Sequence, residues 1–126
     1  MSDMPATHPA DAARTQLRAG LRDAMVARDR TAATALRGAI AAIDNAEAVP
    51  ASSAAVALEA VPVTAAGAND VPRRDLSGTE VRDILQAEID ERQAAATEYD
   101  GLHPDRAAQI RAEAEAIEQV LVAYNS

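Results

Sequence analysis

Arg37 sits inside Leu36–Val49, LRGAIAAIDNAEAV, an arginine among apolar residues on a segment that closes on Asp44-Asn45-Ala46-Glu47. A guanidinium in such a place either snorkels to water along its aliphatic stem or bridges a carboxylate from a neighbouring helix. Glu88 and Arg92 lie four residues apart with the acid first, the favourable order on a helix. As a solvated surface pair they would contribute about 0.3–0.5 kcal/mol. As part of a half-buried network, they would take in Arg37, with its guanidinium reaching Glu88 or Glu113. Arg37, Asn45, Glu88, Arg92 and Glu113 are the candidate polar set, serving either a partner or the fold.

Arg14, Arg18 and Arg22 recur at every fourth residue and make a basic row. Such a row is either a solvated helix face or a surface that meets phosphate. With no Trp or Phe and two Tyr in the chain, base stacking on single-stranded RNA has little to work with. No catalytic residue is assigned. The five glycines are scattered rather than gathered into a phosphate loop, and His8 and His103 are too far apart to share metal-ligand spacing. No serine stands in a recognisable relation to a base. The expectation is therefore no metal and no cofactor.

Composition narrows the class. The 126 residues include 33 alanines and no Cys, Phe, Trp or Lys. Alanine leads the helix scale because it loses no side-chain entropy on folding. A core of Leu, Ile, Val, Met and Ala is thin, so its helices must approach closely. Without cysteine there are no disulfides and no thiol chemistry. The first residues, MSDMPATHPAD, lack the basic and apolar regions of a secretory signal, and no apolar run reaches the ~18 residues of a membrane span. These features predict a cytoplasmic protein with no membrane association. The net charge of −8 is concentrated in residues 77–126, which hold four Arg and eleven acids, whereas residues 1–48 hold six of each. An acidic half repels phosphate, so any RNA contact falls to the first half.

The elements that would position these groups are four helices. Helix 1, about 11–27, carries Ala13, Leu17, Leu21 and Met25 as its apolar row, with Asp11 as N-cap. Helix 2, about 31–47, carries Leu36, Ile40 and Ile43, with Thr31 as N-cap, and the short Arg28-Asp29-Arg30 link makes it antiparallel to helix 1. Gly20 and Gly38 lie nearly equidistant from that link and are expected to face each other across a close helix contact, or else to be neutral. Helix 3, about 79–99, opens on Ser77-Gly78-Thr79-Glu80, a capping box, and closes at Gly101 as C-cap. Helix 4, about 104–124, begins at Pro104 and buries Ile110, Ala114, Ile117, Leu121 and Tyr124. Residues 1–10 read as a disordered arm. The low-complexity stretch 49–75, with three prolines and a glycine, reads as a flexible linker in which 53–60 could form a short helix. The fold class is all-α: two antiparallel hairpins packed as a small four-helix bundle, one domain over 11–124.

These residues resemble the GatB/YqeY family. Leu17–Ala27, LRAGLRDAMVA, with Arg28-Asp29, matches a motif L-x-x-x-L-x-x-A-M-x-x-K/R-D, and Leu36-Arg37 and Ala42-Ile43-Asp44-Asn45 match the L-R and A-I-x-N that follow it. In the second half Leu76-Ser77, Glu80-Val81, Leu85-Gln86-Ala87-Glu88 with Arg92, Tyr99 and the Glu113/Glu115 region are similar to the family, with Ala87 in place of a usual Lys. The likeness covers the chain outside the arm and the linker, and rests on the order and spacing of individually weak motifs.

The resemblance implies an all-helical domain related to the tail of the B subunit of tRNA-dependent amidotransferases, which are carbon–nitrogen ligases with glutamine as amido donor. It implies a short form, since the family normally continues past a Tyr-Leu-Pro segment into a further small helical domain, and its linker is usually shorter. In the amidotransferase the chemistry belongs to other domains and another subunit. The expectation is thus a non-catalytic accessory docking module, with tRNA or an amidotransferase or translation protein as partner. Arg14, Arg18 and Arg22 would be its RNA-facing residues. The alternative is a general interaction protein or homodimeric scaffold that has lost the tRNA role.

Overall fold

The computed structural model describes residues 8–48 and 74–126. Pro9 and Ala10 of the expected 1–10 arm are helical, whereas residues 1–7 of that arm, residues 49–73 of the expected 49–75 linker and the short helix expected over 53–60 lie outside the described residues. Within them the fold is all-α: α1 (Pro9–Val26), α2 (Arg30–Ala48), α3 (Gly78–Tyr99) and α4 (Pro104–Asn125). Two antiparallel hairpins, α1–α2 and α3–α4, pack on each other as a bundle.

Local chemistry sets the helix ends, in places differently from the sequence expectation. α1 starts at Pro9, two residues before the expected cap, because proline's fixed φ and missing N–H suit the first helical position. Asp11 is not the cap. It lies in the first turn, where a carboxylate complements the helix dipole. Nor does Thr31 cap α2: Asp29 does, its Oδ1 accepting the Ala32 N–H at 3.0 Å. The capping box of α3 forms as expected. Ser77 Oγ accepts the Glu80 N–H at 3.0 Å, and Glu80 Oε1 accepts the Ser77 N–H at 2.9 Å. Leu76 and Val81 flank the box in the core cluster, the positions of a hydrophobic staple.

The turns hold one reversal of roles. Gly101 does not close α3 in a left-handed conformation; no described glycine has positive φ. The left-handed residue is Arg28, at φ 61°. It occupies the C′ position after α1, with Arg28 N–H donating to Met25 O at 3.1 Å and Asp29 N–H to Ala24 O at 2.8 Å, the two bonds of a Schellman motif.

The core is aliphatic and contains no buried polar or charged residue among those described. Leu17, Ile43, Val81, Leu85 and Ile117 are fully enclosed, and alanines such as Ala13, Ala35 and Ala39 fill the contacts between helices. The expected row on α1 fails at its last member: Met25 is 55% exposed and Ala24 is buried instead. At 3.6 residues per turn, each i+4 step drifts by about 40°, so three steps from Ala13 carry Met25 round to solvent.

The hairpins are unequal. The main core draws on α3 only as far as Ile89 and on α4 only from Ala114 onward. Beyond that level Ala95, Ala96, Ala107 and Ile110 form a separate small cluster made by α3 and α4 alone. The α1–α2 turn meets α4 part-way along, where Asp29, Thr31 and Ala32 border a recess shared with Ala112, Glu115 and Ala116. The tip of the second hairpin therefore projects past the turn of the first. Among the described residues no helix is long and apolar enough to cross a membrane.

Candidate functional site

The candidate polar set divides into three places. The first is on α3 and α4. Arg92 Nη1 donates to Glu88 Oε1 at 2.9 Å and to Glu88 O at 3.0 Å, and its Nε donates to Glu113 Oε1 at 3.2 Å. All three side chains are largely covered, at 14–21% exposure, so screening by water is reduced. Arg37 does not join them. It is exposed, and its Nη2 donates to Met25 Sδ at 3.7 Å on the opposite flank of α2. Arg92 approaches α2 over Gly38, where a β-carbon would lie 3.0 Å from its Nη2. Gly20 and Gly38 accordingly do not face each other. A β-carbon at Gly20 would meet Leu36 and Val120, so each glycine admits a different neighbour.

The second place corrects the RNA-facing reading of Arg14. Its guanidinium is consumed by acids, donating to Asp11 Oδ1 at 2.9 Å, Asp44 Oδ1 at 3.1 Å and Glu47 Oε1 at 2.5 Å. Burial works against its charge, but the hydrogen bond and field of Glu47, with Asp44 behind, raise its pKa above the ordinary arginine value. With 11% of its side chain exposed, it ties α1 to the end of α2 rather than presenting charge to a ligand. Arg18 and Asn45, both exposed, border the same recess of about 620 Å³ beside Asp11, Arg14, Asp44 and Glu47. Arg22 is exposed further along α1.

The third place is the α1–α2 turn, which the sequence reading takes as a connection and as the end of a motif but not as a site. A cleft of about 460 Å³ opens there, lined by Arg28, Arg30 and Arg37 with Met25, Asp29 and Thr34 among its other walls. The sequence signal was the pair of arginines on either side of Asp29, and its meaning depended on Arg37 arriving from two turns along α2.

The arginines sort by partner. Arg14, Arg74, Arg92 and Arg111 are ion-paired. Arg82 and Arg106 bond Thr79 and Gln109 on their own helices. Among the described residues the side chains of Arg18, Arg22, Arg28 and Arg30 make no hydrogen bond or ion pair, and all four lie on α1, its turn or the first residue of α2. None of the acids of the second hairpin pairs with them, although Glu115 borders the recess beside the α1–α2 turn. Asp100 is held below the ordinary carboxylate range by its fork to Arg111, both bonds at 2.7 Å.

His8 precedes α1 with its Nδ1 3.5 Å from Asp75 Oδ1, and His103 precedes α4 with its ring 6.0 Å from that of Tyr99. Comparison with protein families, curated proteins and solved structures finds no match to this chain.

Proposed function

We propose that this chain is a non-catalytic docking module serving translation, close to tRNA-dependent amidation, and that it engages tRNA through its first hairpin. The observation that carries the reading is the set of arginines whose side chains make no hydrogen bond or ion pair, Arg18, Arg22, Arg28 and Arg30, gathered on α1, the α1–α2 turn and the start of α2, while the second hairpin carries most of the net negative charge. Cations that no carboxylate neutralises retain their full attraction for a phosphate backbone, and neutralising that backbone releases counterions. The motif resemblance to the GatB/YqeY family supplies the biological setting. Its ligase label belongs to the chemistry of the larger amidotransferase and is not carried over to this chain. A cytoplasmic location goes with this setting.

The test is a fluorescence anisotropy titration of labelled total tRNA at two salt concentrations. Saturable binding that weakens as salt rises supports the reading, and absence of binding at every accessible concentration contradicts it. A second reading, a homodimeric or protein-docking scaffold, draws on the exposed Val26, Leu102 and Val122. A solution mass of twice the chain mass, without tRNA binding, would favour it.

A further inference from the structure

We propose that the cleft at the α1–α2 turn is a binding site for a phosphate monoester of about mononucleotide size. Three guanidinium groups, those of Arg28, Arg30 and Arg37, line one cavity of about 460 Å³. That volume lies within the roughly 300–1,000 Å³ of small-ligand sites. Arginine presents paired N–H donors in a planar fork that matches phosphate oxygens, which a point-charge ammonium does not. Arg30, Thr34 and Arg37 fall at i, i+4 and i+7 on α2 and so share a face, and all three line the cleft. Arg28 closes the group from the turn. Met25 Sδ accepts from Arg37 Nη2 at 3.7 Å, and both residues line the cleft.

The one acid lining the cleft, Asp29, offsets one of the three positive charges but forms no ion pair with the arginines. Asp29 is turned to the backbone, its Oδ1 accepting the Ala32 N–H and its carbonyl the Ala33 N–H, both at 3.0 Å. The same bonds occupy N–H groups at the start of α2, so side chains rather than the helix terminus supply the cleft's positive character. The arrangement runs against local preference at two points. Arg30 puts a cation at the positive end of the α2 dipole, in a first turn that contains no acid. Arg28 takes a left-handed conformation in which glycine is favoured. Like charges converging in one cavity add to both. A dianionic phosphate offsets all of the electrostatic part at once, and local rules are most often broken at sites that bind.

The cleft shares Arg28 and Arg30 with the tRNA reading but adds Arg37 and Thr34, and the two are tested separately. It is tested by titrating the isotope-labelled protein at constant ionic strength with inorganic phosphate, adenosine monophosphate and adenosine, and following the backbone amide resonances. Phosphate and the nucleotide should give saturable shifts centred on residues 24–37, and adenosine should give none. Arg37→Gln should weaken the nucleotide response about tenfold, the loss expected for one charge-assisted contact. Arg28→Gly separates binding from folding. It should raise the melting temperature, since glycine accepts φ 61° without strain, and still weaken binding. Equal shifts from sodium chloride, or nucleotide binding unchanged in both variants, would overturn the inference. If tRNA binds and the phosphate probes do not, this site falls and the docking role survives. The reverse result supports the site and removes the docking role.

Discussion

The guanidinium of Arg92 lies over Gly38, with Nη2 3.0 Å from the position a β-carbon on residue 38 would take. That contact is tighter than ordinary packing, and Arg92 is not free to retreat, because Glu88 and Glu113 hold it through three hydrogen bonds. In an otherwise open helix Gly→Ala stabilises by about 1 kcal/mol. The expected outcome is a coupled pair: Gly38→Ala gains the full increment when Arg92 is also replaced by Ala, and less than half of it, or a loss, when Arg92 is present. Urea unfolding of the four proteins of the cycle measures this. Equal gains in both backgrounds would show that Gly38 is not kept for Arg92.

Arg14 is the electrostatic tie between α1 and the end of α2. Replacing it with Ala removes hydrogen bonds to three acids, Asp11 on α1 and Asp44 and Glu47 on α2. The loss should be about 1.5–3 kcal/mol, the range for bonds to charged groups. Arg14→Lys should recover only part of it, since an ammonium lacks the fork that spans Asp44 and Glu47. Arg18→Ala, with no partner to lose, should change stability little. Thermal melts of the three variants check the order.

The stretch between α2 and α3 begins and ends at one place. Glu47 carbonyl accepts the Arg74 N–H at 2.9 Å, and Arg74 also pairs with Glu80. The two hairpins are therefore already in register where the chain leaves and where it returns. Replacing residues 50–72 with a glycine–serine bridge a quarter as long should keep the fold. Loss of cooperative unfolding in the shortened chain would contradict this.

What was legible in the sequence was local. The Ser77–Glu80 box, Pro104 at a first turn and the apolar rows of α2, α3 and α4 each depend on residues within a few positions of one another. The candidate site was less legible because its members meet through tertiary packing. Arg14 looked like one of a basic row, yet its acids lie 30 and 33 residues away on α2. Gly38 looked like a partner for Gly20, but Arg92 of α3 fills the space beside it. Arg28 and Arg30 looked like a connection until the first turns of α2 brought Arg37 to the same cleft.

Acid should weaken the bundle through Glu80 and Asp100. Backbone and side-chain hydrogen bonds from Ser77, with Arg74 nearby, hold the Glu80 carboxyl below its ordinary pKa, and the Arg111 fork does the same for Asp100. A depressed folded pKa means that the unfolded chain binds protons first as pH falls. The stabilisation is present above the ordinary carboxylate pKa of about 4 and is lost as pH drops through the lower folded value. Melting temperatures across an acid series should show a plateau near neutrality and a decline below that point. The gap between wild type and Glu80→Gln should narrow on acidification. A gap of constant size from neutral pH to the acid limit would rule out the Glu80 contribution.

The docking account depends most on which arginines meet phosphate. Its most direct measurement is the salt dependence of tRNA affinity for two quadruple variants of equal charge change. One replaces Arg18, Arg22, Arg28 and Arg30 with Gln, and the other replaces Arg82, Arg92, Arg106 and Arg111. The account predicts that the first variant flattens the slope of log affinity against log salt by up to about 0.9 for each phosphate contact removed. The second should leave the slope near that of the wild type wherever it stays folded, as judged by circular dichroism. Equal flattening in both folded variants, or a wild-type slope near zero, would contradict it.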